Sequence, residues 1–188
     1  MKRSPPKPKG RRRTGAVRSA RSAMENKTRR TIRYFGYGAN ASPKMLGALI
    51  GRKPSGFAAR LEGYELWIQS WREIPFLIRK IIKIHWTPDF RTYCISPKRR
   101  EVVNGRVWLL TPKEHKLVRE WEFWYRPIQV RVKTRDGRMV IAEAEMVRKP
   151  ASKTNRLNGG HYKFFLNNEK RMLEIAKKVR GLPLSKGS

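Results

Sequence analysis

The sequence predicts an α+β fold, a small mixed β-barrel or sheet flanked by a few helices, with a disordered basic N-terminal arm. Three observations predict it. Runs with alternating apolar residues outnumber runs with helical spacing, and the two kinds are intermixed along the chain. Asp136-Gly137 lies between two such alternating runs, a strong local signal for a hairpin. The first thirty residues hold 12 Lys/Arg, one acid (Glu25) and a proline cluster, too charged and too poor in apolar groups to fold when free. No repeat of 20–50 residues is visible.

Order is expected from about Ile32. Ile32 to Tyr37 reads as a first strand, and Gly38-Ala39-Asn40 turns out of it. Ser42-Pro43 has the form of an N-cap followed by proline at the first helical position. Met45, Leu46, Leu49 and Ile50 follow at helical spacing, and Gly51 ends that helix. Phe57 to Leu61 and Tyr64 to Trp71 read as two strands parted by a turn at Glu62-Gly63. Between Glu73 and Phe90 the apolar residues Ile74, Phe76, Ile78, Ile82, Ile84 and Trp86 alternate with gaps, which suggests strand or an elaborated loop. Tyr93 to Ser96 is a short strand and Val102 to Leu110 another. Thr111-Pro112 opens a second helix with Leu117, Val118 and Trp121 as its apolar positions. Ile128 to Lys133 and Met139 to Val147 form the hairpin. Pro150 to Gly160 is polar and loop-like, and Tyr162 to Leu166 leads into a last helix, Asn168 to Arg180, stopped by Gly181 and Pro183.

At 188 residues the chain is long enough for one domain with a core, here residues 31–188, behind the arm of residues 1–30. No apolar stretch approaches the ~20 residues of a membrane span. A cytoplasmic location is expected; a basic arm is also compatible with nuclear or organellar targeting. The single cysteine, Cys94, cannot form an intrachain disulfide and reads as a small buried hydrophobe. His85, His115 and His161 are scattered without partners at metal spacing. Formal charge is +31, of which +11 lies in the arm and +20 in the rest. A basic body as well as a basic arm points to a polyanionic partner, RNA or DNA before others. Trp71-Arg72, Arg79-Lys80, Lys83, Trp86 and Arg91 interleave bases and aromatics that could serve phosphate contact and base stacking, without forming a recognised nucleic-acid motif.

Tyr34-Phe35-Gly36-Tyr37-Gly38-Ala39-Asn40 resembles the signature of the gamma-glutamylcyclotransferase-like family, an aromatic strand ending in Tyr-Gly-Ser-Asn. Weaker matches follow in the family's order: Ala59 to Leu66, Ile95-Ser96-Pro97, Val103 to Trp108, Val118 to Phe123, Tyr125 to Val130 and His161-Tyr162-Lys163. Together they cover about residues 32–184. Ala39, Arg119 and Phe123 stand where the family has serine, aspartate and glycine.

The resemblance implies that a substrate's own α-amino group attacks its γ-glutamyl carbonyl, releasing 5-oxoproline and an amine. It implies no cofactor, because the nucleophile is already tethered. Glu122 takes the place of the family's catalytic glutamate, acid and base in turn. Its neighbours Trp121, Phe123, Trp124 and Tyr125 supply the apolar surroundings that raise a carboxyl pKa. Glu120 is the alternative register; the spacing from Glu122 to Tyr125 and the following strand favours Glu122. Tyr34, Phe35, Gly36, Tyr37, Gly38, Ala39, Asn40 and Tyr162 are the implied substrate-binding residues. A different class of function also fits the charge: the same fold, its catalysis vestigial, binding RNA or DNA.

Overall fold

The computed structural model describes residues 31–147 and 155–182. The expected arm, residues 1–30, and part of the loop expected at 150–160 lie outside them. Strand β1 (Ile32–Gly36) is the hub of a closed, mixed barrel. It runs antiparallel to β3 (Arg91–Leu110), from Ile32 opposite Leu110 to Gly36 opposite Arg106. On its other side it is parallel to β5 (Met139–Met146), with Tyr34 beside Glu143. β5 pairs in a hairpin with β4 (Arg126–Thr134) across Asp136-Gly137, Gly137 taking the left-handed conformation such a turn needs (φ 87°). β4 joins β2 (Gly56–Ser70) through Ala59 and Arg60, and β2 pairs with β3 to close the ring. A two-residue strand, β6 (Arg156–Leu157), adds to β2 outside the barrel, within the stretch expected to be loop.

The period-2 pattern of β1 divides two cores. Phe35 points into the barrel with Leu61, Ile95, Val107 and Val132. Tyr34 points the other way, with Trp108 and Leu110, into a core that the helices cover. Those helices are α1 (Pro43–Ile50), α3 (Pro112–Trp121) and α4 (Glu169–Gly181). Each begins where its local signal lies. Pro43 occupies the first turn of α1, the Thr111 side chain and Glu114 form a capping box on α3, and Asn168 caps α4 by accepting from the Arg171 N–H. Gly51 ends α1 in the left-handed region (φ 83°).

Three expectations change. Phe57–Leu61 and Tyr64–Trp71 are one strand, since Gly63 is an irregularity inside β2 and not a reversal. The two strands expected at 93–96 and 102–110 are likewise one, β3. Pairing jumps from Tyr64 opposite Pro97 to Glu62 opposite Val102, so Lys98 to Glu101 bulge out opposite Gly63. The stretch 73–90 contains a helix, α2 (Phe76–Ile82), after a 3-10 turn at Trp71–Glu73. Its buried residues Ile74, Ile82 and Trp86, with half-buried Ile78, recur every four positions, while Phe76, Leu77 and Ile84 face out. A helical stripe thus lay inside what reads as a broken alternation. No helix among the described residues is long and apolar enough to cross a membrane.

Candidate active site

The strand-to-helix connection after β1 sets the floor of the site. Gly36 lies so close to the next turn that a Cβ there would stand 2.4 Å from the Asn40 carbonyl oxygen. That carbonyl accepts from the Trp108 indole N–H at 2.7 Å. The turn itself is one 3-10 step, Gly38–Ala41, in which the Asn40 N–H returns to the Tyr37 carbonyl. Gly38 needs positive φ (56°) and lies against the Tyr93 ring, where any side chain would collide. The result holds the Asn40 side chain rigidly inward. Its Nδ2 donates to the Tyr34 hydroxyl at 2.9 Å and to Glu122 Oε1 at 2.6 Å. Its Oδ1 is buried and has no partner among the described residues.

Glu122 reaches that amide from the C-cap of α3. Its N–H closes the helix on the Val118 carbonyl, and its own carbonyl accepts from the Tyr125 N–H, a tight reversal that aims the side chain back at the turn. Burial among aromatic rings pushes its carboxyl up to about 8, and the charge of nearby Glu145 pushes the same way; the Asn40 amide and Arg119 oppose them. Glu145 is itself buried and held by the Arg119 guanidinium, which contacts both carboxylate oxygens. Its backbone carbonyl accepts from the Tyr37 hydroxyl at 2.6 Å. One residue pair away, His115 Nε2 and Glu143 share a hydrogen bond of 2.7 Å.

Above the Glu122–Asn40 contact lies a cavity of about 280 Å³. Tyr34, Tyr37, Ala39, Asn40 and Glu122 form its polar end, with Glu120 and Glu145 beside them. Much of the remaining lining comes from the segment 81–93 and from α4. Among the described residues no group of His, Cys, Asp and Glu is arranged to hold a metal ion.

No protein-family model matches the sequence, and no curated protein does. Solved structures do match. A gamma-glutamyl cyclotransferase is 19% identical over 82% of this chain and 83% of its own, with a TM-score of 0.52. The chain shares the gamma-glutamyl cyclotransferase fold. An uncharacterized human protein matches at 20% identity over 82% of both chains, TM-score 0.53. A protein of Arabidopsis thaliana matches at 18% over 79% of this chain and 84% of its own, TM-score 0.51.

Within that cyclotransferase fold the residues singled out in the sequence take three different places. Tyr34, Tyr37, Ala39, Asn40 and Glu122 converge on the cavity. Phe35 does not: it lies in the barrel interior, on the face of β1 away from the cavity. Gly36 and Gly38 shape the turn without lining it, by allowing the close approaches just described. Tyr162 lies behind the turn, its hydroxyl accepting from the Gly38 N–H at 3.1 Å and donating to the Asn104 carbonyl, so it positions the turn and is not a cavity wall. Phe123, which replaces a glycine of the cyclotransferase pattern, sits half out at the rim with its ring edge-on to Trp124, and leaves the Glu122–Asn40 contact intact. Of the aromatics read as base-stacking, Trp86 is buried and Trp71 packs on the same core, so neither is a surface platform. Sequence reasoning missed Glu145 and the apolar wall. Acid scarcity was the available signal for the first: with only 14 acids in the chain, the alternation Ala142-Glu143-Ala144-Glu145 puts two of them on one face of a central strand.

Proposed function

We propose that this protein is a gamma-glutamyl cyclotransferase, converting a γ-glutamyl amine to 5-oxoproline and the free amine without a cofactor. The observation that carries this reading is the Glu122 carboxyl, raised to about 8 and held at 2.6 Å by Asn40 at the polar end of an open cavity. In the proposed cycle ionised Glu122 takes a proton from the substrate's α-ammonium. The freed amine attacks the γ-carbonyl carbon, the amide C–N bond breaks, and Glu122 relays to the departing nitrogen both this proton and the second one that the attacking nitrogen sheds on becoming the lactam N–H. A carboxyl near 8 suits both transfers, since the driving force in neither direction is large. The Asn40 Oδ1, buried beside this contact and without a partner among the described residues, is an acceptor in reserve at the same place. Arg119 is engaged by Glu145, which balances a second buried carboxylate beside the first. The test is release of 5-oxoproline from γ-glutamyl-alanine by the purified chain. Glu122→Gln keeps the shape and the Asn40 contact, and is expected to lose at least about 10² in kcat/KM. Undiminished turnover in that variant overturns the assignment of Glu122.

A second reading rests on charge. The chain has 45 Lys+Arg against 14 Asp+Glu, and the bulge opposite Gly63 exposes Arg99 and Arg100 side by side, next to Lys98, which pairs with Glu65. It gives the same chain a polyanion-binding surface, with RNA or DNA as the occupant.

A further inference from the structure

The cavity has two chemically different ends, and cyclisation uses only one. The acids of its described lining are Glu120, Glu122 and Glu145, and of these Glu122 and Glu145 lie by the Tyr37–Asn40 turn. The other end is a wall of Ile82, Trp86, Phe90, Met172, Ile175 and Val179. Trp86 and Phe90 lie against each other with ring centroids 4.6 Å apart. The rim continues the same character: Ile81, Ile84, Phe164 and Leu182 line the cavity and are exposed. His85 and Arg91 interrupt this wall, and the Arg91 backbone is turned on Asn167, its N–H donating to Asn167 Oδ1 and its carbonyl accepting from the Asn167 amide. Such a wall has no part in holding a glutamyl group, which is small and polar and is served by Asn40, the turn and Glu122. It faces whatever the γ-amide nitrogen carries.

We propose that the site selects γ-glutamyl conjugates whose amine bears a bulky apolar body, aromatic or branched aliphatic, and releases that amine. This rests on the cyclotransfer reading and adds the leaving group to it. The step balances without water or a redox partner: the α-nitrogen–γ-carbon bond forms, the γ-amide bond breaks, and the two protons that the attacking ammonium sheds in becoming the lactam N–H pass in turn through Glu122 to the departing nitrogen, which leaves as an ammonium. A ring on that departing nitrogen covers apolar surface that a glycine or alanine would leave wet. A cationic amine meets no carboxylate among these wall residues, and the Trp86 ring already carries the Arg171 guanidinium over it, 5.6 Å from the ring centroid, so a second cation there would lose hydration and be repelled.

The experiment compares γ-glutamyl-glycine, γ-glutamyl-phenethylamine and γ-glutamyl-putrescine on the full chain, by kcat/KM for 5-oxoproline release. Calorimetric binding of each conjugate to Glu122→Gln runs alongside. The phenethylamine conjugate is expected to exceed the glycine conjugate by about tenfold or more in both measurements, and the putrescine conjugate to fall below both. Trp86→Ala is expected to reduce the phenethylamine-to-glycine ratio. Because Trp86 also packs in the core, Ile84→Ser, at an exposed rim position, is made alongside and should reduce the ratio in the same direction. If all three conjugates turn over equally, the leaving-group inference is wrong and cyclotransfer stands. If none yields 5-oxoproline but the phenethylamine conjugate binds selectively, cyclotransfer falls and the apolar selectivity stands. Absence of both overturns the two together.

Discussion

Glu122 is where the chemistry and the stability of this protein meet. Its carboxyl is raised to about 8 chiefly by burial, so between the ordinary carboxylate range and pH 8 the folded state holds a proton that the unfolded chain has released. Stability therefore falls as pH rises through that window, by up to about 5 kcal/mol for this one group, since a tenfold difference in acidity between the folded and unfolded chain corresponds to about 1.4 kcal/mol. Glu122→Gln removes the ionisable group, and the variant should become progressively more stable than the parent as pH goes from 5 to 9. Urea unfolding midpoints at several pH values measure this; parallel pH curves for the two proteins would contradict it. Activity responds with the opposite sense. The base must be ionised to begin the reaction, so kcat/KM should climb about tenfold per pH unit below pH 8 and level off above it. An acid limb near the ordinary glutamate value of about 4.3 would show that the buried environment does not act on the reacting group.

The elements around that residue differ in how much of them the sequence reveals. β1, α1, α3 and the β4–β5 hairpin were legible because their instructions are local: an aromatic strand into Gly-Ala-Asn, Ser-Pro, Thr-Pro with Glu114 in capping position, and Asp-Gly. That Glu122 and the Tyr37–Asn40 turn share one site was implied by the family resemblance and not by these local signals. α2 was hidden because Ile74, Ile78, Ile82 and Trp86, spaced by four, fall on the same even positions that suggest alternation, and outward Phe76 and Ile84 complete the false pattern. The continuity of β2 and β3 was illegible for another reason. Gly63 and the Lys98–Glu101 bulge look like strand ends locally, and only the pairing between the two strands shows that they face each other. Arg119 could be read only as a departure from a pattern; in the fold it spans from α3 to β5 and balances Glu145. That bridge makes a prediction about the two elements. Arg119→Met leaves Glu145 buried without its partner and should destabilise by about 3 kcal/mol or more, while Arg119→Met with Glu145→Met should regain most of the loss. The single variant should also move the acid limb of kcat/KM upward, since Arg119 is one of the influences that lower the Glu122 carboxyl. Thermal midpoints and pH profiles of the three proteins decide this, and an additive double variant would remove the proposed coupling.

At the scale of the whole molecule, the distribution of acids matters more than their number. The chain has 14, and Glu120, Glu122 and Glu145 line the cavity, with Glu143 tied to His115 and Glu65 buried near Ser96 and Lys98. Among the described residues the acids Glu65 and Glu145 are thus buried and contribute little negative charge to the surface. The aromatics that the sequence offers for base stacking are turned inward, Trp86 into the cavity wall and Trp71 onto the helical core. A polyanion would therefore be held through its charge, with little reading of bases. We expect the full chain to bind single-stranded RNA with an affinity that drops on the order of a few hundredfold between 50 and 200 mM salt, as about six phosphate contacts on a single strand require. Heparin should compete about as well, charge for charge, because nothing in the expected contact distinguishes a base from a sugar. Filter binding across a salt series, with and without heparin, measures both. A shallow salt dependence would mean that the surface charge is not the binding element. RNA that heparin cannot displace would mean that base contacts exist, which the inward-facing tryptophans do not supply.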